Sequence, residues 1–570
     1  MAGTQPVSGA SVQLYAAGSS GYGSPATPLL STPVTTDSNG GFSIASYTCP
    51  AAASQVYLVA RGGNPGLASG TNNTAIALMT ALGSCGDLGS TATASINELT
   101  TAASVWALAQ FMSTGANVGT SSTNAAGLAT AFATVDNLVN ASTGTVPGPS
   151  LPSGATAPTN ELNTLAGILN ACAGASGASA CASFFAAATP SGGSQPANTI
   201  DAAWNIAQNP TLNVGALFNL LPASPPFEPV LTSVPNDWTL AINYTGGGLN
   251  GPSALAIDQA GNVWIADYFN AVSELSSQGA ALSPASGYTG GGLNESYGLT
   301  IDNSGNVWVV DQQSLGGANG GRGAVTEFDP TGRILSPTNG FTNGGINFPI
   351  GLASAASGNI WIANYGNSTA TVLSSSGAAL SGTSGYGAGK LSFPVAVAID
   401  ANGNAWLANQ SGSTVTSISS DGTQVNQIAC CTGASGVAID QHGNVWVANY
   451  FGDSISELSS AGAVLSSGYT GGGLLRPQGI AVDGNGNIWA ANYQGNSLTE
   501  LQGADSASPG TPLSPSTGLG TAANLTLPFA LAIDAGGNLW VSSFGSNTIT
   551  QYVGAAAPVK TPLLGPTQKP

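Results

Sequence analysis

The chain has 570 residues, a net charge of −18 and only 6% charged residues, against roughly 25% in ordinary globular proteins. Its seven cations, Arg61, Arg322, Arg333, Lys390, Arg476, Lys560 and Lys569, are too few and too scattered to neutralise nucleic-acid phosphates or an anionic membrane surface. No apolar run is long enough to span a bilayer.

The length gives room for roughly two to four domains and a large buried core. The six cysteines fall into three local pairs, Cys49 with Cys85, Cys172 with Cys181, and the adjacent Cys430 and Cys431. None sits in a CxxC spacing, and a single histidine leaves no Cys/His zinc site. Three disulfides, in a secreted or cell-surface protein, are the expectation.

Residues 1–71 read as a small β-domain. Ser11-Val12-Gln13-Leu14-Tyr15 alternates, Val56-Tyr57-Leu58-Val59-Ala60 is a buried strand, and Asp37-Ser38-Asn39-Gly40-Gly41 is a hairpin turn. In Pro6-Val7-Ser8-Gly9-Ala10-Ser11-Val12 and Thr35-Thr36-Asp37-Ser38-Asn39-Gly40-Gly41-Phe42 it resembles the carboxypeptidase regulatory-like β-sandwich family. That resemblance implies one more strand ahead of Pro6, which this chain does not supply. The edge near Pro6–Tyr15 is therefore expected to be open, a template for a strand of another copy.

Residues 72–226 are Ala-rich with helical spacing. Ser95-Ile96-Asn97-Glu98 reads as a capping box ahead of Leu99, Val105, Trp106 and Phe111. Further helices are expected at 124–140, 160–172, 179–188, 198–208 and 213–221, with a Pro/Gly/Ser-rich loop at Thr143–Pro158.

From 227 to 555 one unit repeats seven times. In its first copy it is Gly251–Asp267, and its tryptophans, from Trp264 to Trp540, are spaced by 44, 53, 45, 40, 43 and 51 residues. That is the period of a propeller blade. Each copy parses into short strands around an Asp-x-x-Gly-Asn turn and ends in a Gly-rich loop, such as Tyr288-Thr289-Gly290-Gly291-Gly292-Leu293. The same loop stands before the first copy, after Trp238–Tyr244, and is missing after the seventh. A mainly β, seven-bladed β-propeller is expected, with strand Trp238–Tyr244 closing the last blade, preceded by a β-sandwich domain and an α-helical domain. Residues 556–570 form a Pro-rich tail, the expected occupant of the N-terminal edge in a self-assembling chain.

Pro477-Gln478-Gly479-Ile480-Ala481-Val482-Asp483 and Gly486-Asn487-Ile488-Trp489 resemble NHL-repeat propellers, and the streptogramin (virginiamycin B) lyase-like group among them. The lyase resemblance implies histidines, an acidic residue and a divalent metal on one face, opening a lactone. The place between Pro and Gly that can carry such a histidine reads Ser253, Tyr297, Ile350, Val395, Ser435, Gln478 and Phe529. The one histidine, His442, belongs to a turn on the opposite face.

Strand order assigns the Asp-x-x-Gly-Asn turns to a lower face, where Asp and Gly serve the turn itself. Strand ends on the upper face place Asp267, Asp311, Asn364, Asn409, Asn449, Asn492 and Ser543 in a ring, beside Tyr268, Tyr365, Tyr450 and Tyr493. Amides and aromatics around a funnel suit an extracellular ligand such as a neutral glycan, by hydrogen bonding and stacking. The competing reading is that the amides close hydrogen bonds between blades. Asp267 and Asp311, with Glu295 between them, are the candidate ligands for a Ca or Mg ion, which a metal-dependent lyase or lactonase would need. The binding or structural reading ranks first, the enzymatic one second.

Overall fold

The computed structural model describes residues 1–89, 91–174, 178–313 and 320–570. At the N-terminus, Ser11–Ala16 pairs with Gln55–Arg61, which pairs with Ala77–Ser84. The last of these strands lies in the stretch read as helical, because its Ala-rich composition hides its partners. The Ala77, Met79 and Ala81 amides donate to Thr199 Oγ1, Thr101 Oγ1 and Ser104 Oγ, each at 3.0 Å, so helix hydroxyls seal this edge of the sheet. The opposite edge is filled too. Thr27–Pro28 and Val34–Thr35 both pair along Ser11–Ala16. The open edge expected near Pro6–Tyr15 is therefore not present.

Helices run over Glu98–Leu108, Ala125–Leu138, Thr159–Ala173, Ala178–Ala187, Thr199–Gln208 and Val214–Phe218. The first is capped by Asn97, whose side chain accepts from Thr100 N while Thr100 Oγ1 accepts from Asn97 N. Ser95 and Glu98 are not the capping pair. Glu98 is fully buried instead, accepting from Gly3 N and from Asn170 Nδ2 at 2.8 Å, and burial raises its pKa. One core joins the sheet residues Tyr57 and Met79, the helix residues Trp106, Phe132 and Leu165, and the repeat region through Trp238, Ile242 and Ile549. The three disulfides are Cys49–Cys85, Cys172–Cys181 and Cys430–Cys431.

Among the described residues the repeats form seven antiparallel sheets. In the first, Pro252–Ile257, Val263–Asp267 and Ala271–Leu275 pair in order. The first strand of each sheet packs on the first strand of the next, and Pro528–Ile533 of the last returns to Pro252–Ile257, closing a ring. In the last sheet Thr548–Tyr552 pairs with Ala241–Tyr244, nearly the whole repeat region away in sequence. Leu255, Leu299, Leu352, Val397, Ile480 and Leu531 help line a cavity of about 200 Å³ on the ring axis.

The tail turns back on its own ring. Val559 N donates to Asp534 O at 3.1 Å, Thr561 Oγ1 to Asp258 O at 2.8 Å and Thr567 N to Ile439 O at 3.0 Å. Val559, Thr561, Pro562 and Leu563 close the axial cavity from below. The final carbonyl, of Pro570, accepts from Tyr22 Oη and Ser121 Oγ at 2.9 and 3.0 Å, tying the tail to the N-terminal part. With neither a free N-terminal edge nor a free tail, strand exchange between them has no basis.

Candidate functional site at the upper mouth of the ring

The repeated unit has two ends, and the lower one serves the fold. In six copies the aspartate after the first strand bonds the turn amides and the indole of the central tryptophan. Asp302 Oδ1 accepts from Ser304 N and Asn306 N, and its Oδ2 accepts from Trp308 Nε1 at 2.9 Å. Asp440 with Trp446 and Asp534 with Trp540 repeat this at 3.0 and 2.9 Å. The third copy has Ala355 in place of the aspartate. The Asp-x(5)-Trp spacing is the sequence signal for these buried bonds.

The predicted upper ring is also internal. Asp267, Asp311, Asn364, Asn409, Asn449, Asn492 and Ser543 are all 0% exposed. Asn364 Nδ2 donates to Thr371 Oγ1 at 2.9 Å, and Thr371 Oγ1 donates on to Gly344 O. Asn409 with Thr416, Asn449 with Ser456 and Asn492 with Thr499 are the same pair at 2.9, 2.8 and 2.9 Å. Asn364, Asn409 and Asn492 thus link a sheet to a Gly-rich loop through Thr371, Thr416 and Thr499, whereas Asn449 runs through Ser456 to Cys430 O and Ser467 O. The Oδ1 atoms of Asn449 and Asn492 and the Ser543 hydroxyl are buried without a protein partner. The Tyr side chains beside them are half-exposed and remain available.

Asp267 and Asp311 occupy the same slot as those amides. Asp267 accepts from Asn250 N and Ser273 Oγ; Asp311 accepts from Ser296 Oγ, Thr326 Oγ1 and Asn294 N. Desolvation raises their pKa values to about 7 and about 8, against the partial offset of these bonds. Glu295 lies beside the Tyr268 ring, whose hydroxyl is pushed up by burial and then by that carboxylate. Among the described residues no three His, Cys, Asp or Glu side chains gather. A Ca or Mg ion takes about six or more oxygen ligands, and this donor set does not fit one. His442 bonds Asp505 at 2.7 Å outside the upper face.

What faces the upper mouth is aromatic. Tyr268 meets Tyr297 and Phe544 at centroid distances of 6.4 and 6.1 Å, and Tyr297 meets Phe529 at 5.4 Å. Phe529 meets Tyr493 at 6.0 Å, and Tyr493 meets Tyr450 at 6.2 Å. Tyr297 and Phe529 belong to the second and seventh sheets, so their contact spans the inner end of the first. Phe269 and Phe451, each 56% exposed, extend the surface outward. The Arg476 guanidinium stands over Tyr450 and Phe451 at 5.2 and 5.3 Å. A second pair, Tyr365 and Phe393 at 4.9 Å, lies on the far side. The sequence places Tyr268, Tyr365, Tyr450 and Tyr493 beside the funnel and Tyr297 and Phe529 on the same upper face, between Pro and Gly; their packing against one another is not legible there, because a bulge in the first strand re-aims that position.

The rim of this bowl is a belt of left-handed residues. Glu295, Phe348, Phe393, Arg476 and Leu527 have φ of 58°, 47°, 51°, 52° and 51°, with glycine at the equivalent Gly251 and Gly433. A neighbouring sheet caps the amide of each such residue: Asn270 holds Glu295 N at 2.9 Å, Asp453 holds Arg476 N at 2.7 Å and Asn496 holds Leu527 N at 2.9 Å. A non-glycine residue in this region costs about 1–3 kcal/mol and persists where its surroundings fix it. Here the reward is an outward side chain at the rim.

No protein-family model matches the chain, and no curated protein matches it in sequence. In structure it is similar to virginiamycin B lyase from Staphylococcus aureus, at 16% identity and a TM-score of 0.42, over 55% of this chain and 98% of that one. It is similar to a gluconolactonase from Xanthomonas campestris, at 16% identity and a TM-score of 0.34, over 54% and 96%. The WD40 β-propeller domain of Doa1 is a third, at 12% identity and a TM-score of 0.39, over 54% and 94%. The chain itself is mainly β, and no activity or family carries over to it from structures this distant.

Proposed function

We propose that the seven repeat sheets form a seven-bladed β-propeller and that the protein is an extracellular binding protein whose upper aromatic bowl takes a neutral glycan. The observation that carries this is the convergence of aromatic side chains from five sheets at the upper mouth, while the neighbouring amides and carboxylates are fully buried inside the fold. Aromatic faces stack on the apolar faces of sugar rings, and the half-exposed tyrosine hydroxyls supply hydrogen bonds. Disulfide bonds fit an extracellular setting, and among the described residues no helix is long and apolar enough to cross a membrane. Binding through these rings needs no general base and no metal.

The test is a panel of neutral oligosaccharides on an array, followed by calorimetric titration of the full chain. Binding should fall at least about tenfold in a Tyr450→Ala/Tyr493→Ala variant that keeps the parent unfolding midpoint. A chain that binds no member of the panel, or a variant that binds as the parent does, would overturn the reading.

A further inference from the structure

The seven sheets treat their outer strands differently. In the first, second, third and sixth the outer segment makes only two isolated bridges, such as Val272 with Tyr288 and Leu275 with Ala281. Between those bridges a leucine turns outward: Leu282, Leu335, Leu380 and Leu513, 36–48% exposed. In the fifth sheet the outer strand Val464–Tyr469 is irregular at two places, and Leu465 is 54% exposed. Such irregularities spoil an edge as a template for another strand.

Two outer strands are regular. One is Ala241–Tyr244 in the last sheet, and it has an added strand on its outer side: Ala155 and Thr156 pair with Tyr244 and Asn243. The other is Val425–Ala429 in the fourth sheet. It pairs with Thr414–Ile418 without a shift and ends its sheet. Ser419 N donates to Gln424 O and Cys430 N to Ser413 O, so the amides of Asn426 and Ile428 point inward. By alternation the N–H and C=O groups of Val425, Gln427 and Ala429 point outward. No charged residue or proline lies in Thr423–Thr432, and Asn426, Gln427 and Ala429 are exposed.

We propose that this edge is a strand-addition site and that its occupant is a second copy of this chain, Val425–Ala429 pairing antiparallel with itself across a twofold axis at Gln427. The segment is self-complementary in that register. Gln427 faces Gln427 of the copy and Val425 faces Ala429, and all of these residues carry outward backbone groups. The twofold makes the contact closed and isologous, giving a dimer and not a fibre. The chain itself shows, in its last sheet, what a regular outer strand accepts.

The test is sedimentation equilibrium of the full chain from micromolar to near-millimolar concentration, a range suited to a small interface. The mass should double with rising concentration. Gln427→Lys, at an exposed site, places like charges opposite each other and should stay monomeric, as should Gln427→Glu. An equimolar mixture of the two should regain the doubled mass. A parent chain that stays monomeric throughout, a Gln427→Lys variant that dimerises like the parent, or a mixture that does not recover would each overturn the proposal.

Discussion

The two faces of the ring come from opposite ends of one repeated unit, and they use their polar groups in opposite ways. On the lower face each aspartate is saturated by its turn and its tryptophan, and the chain's own tail covers the axis. On the upper face the polar groups retreat into the sheets, while aromatic rings and backbone-strained side chains point out. The lesson is that a repeat can bury folding determinants at both ends of its strands and still leave one upper-face position free to vary. Ser253, Tyr297, Ile350, Val395, Ser435, Gln478 and Phe529 occupy one structural position with little in common.

That contrast can be broken by substitution, and the largest effect belongs to the lower half of the unit. Trp446→Ala removes a fully buried indole and strands Asp440, and it should cost about 3–5 kcal/mol in denaturant unfolding. Next is the buried Asp311, whose slot holds asparagine in four other sheets. Its raised folded pKa means that the folded state holds a proton that the unfolded chain releases. Stability should therefore be full at about pH 4, fall as pH rises and level off above the folded value of about 8. Asp311→Asn should flatten that slope, raising the unfolding midpoint at pH 8 while changing little at pH 4, read from unfolding midpoints across pH. Asp302→Ala leaves the Trp308 indole and the turn amides unpaired and should cost about 1–3 kcal/mol. Smallest is the upper rim: Phe451→Ala, at an exposed ring, should change stability by less than about 0.5 kcal/mol while weakening glycan binding. An upper-rim variant that unfolds the protein, or a lower-face one that does not, would erase the distinction between the faces.

Periodicity made the repeat strands legible, since alternation and the Asp-x-x-Gly-Asn turn act over a few neighbouring residues. The tertiary use of those residues was less so. Asn364 and Tyr365 stand side by side in sequence, yet one is fully buried between strands and the other lines the bowl. A one-residue step at a strand end reverses the face, and no local pattern says where pairing stops. Ala77–Ser84 is hidden for a related reason: it is a strand because it pairs with Gln55–Arg61 while Thr101, Ser104 and Thr199, distant in sequence, bond its other edge. The left-handed rim was hidden as well, although Asn270, Asp453, Asn496 and Asn547 at matching places are its signal.

The pairing of Ala241–Tyr244 with Thr548–Tyr552 has a consequence for how the molecule comes into being. The strand that completes the last sheet is made before any of the repeats, and it must wait for all of them. A contact of that sequence separation is formed late and against a large loop-closure entropy, so folding should be slow and strongly cooperative. Once the ends have met, Trp238, Ile242 and Ile549 share one core with the helices, and local fraying at the seam would have to disturb that core as well. The seam that is hardest to close is thereby the one least free to open.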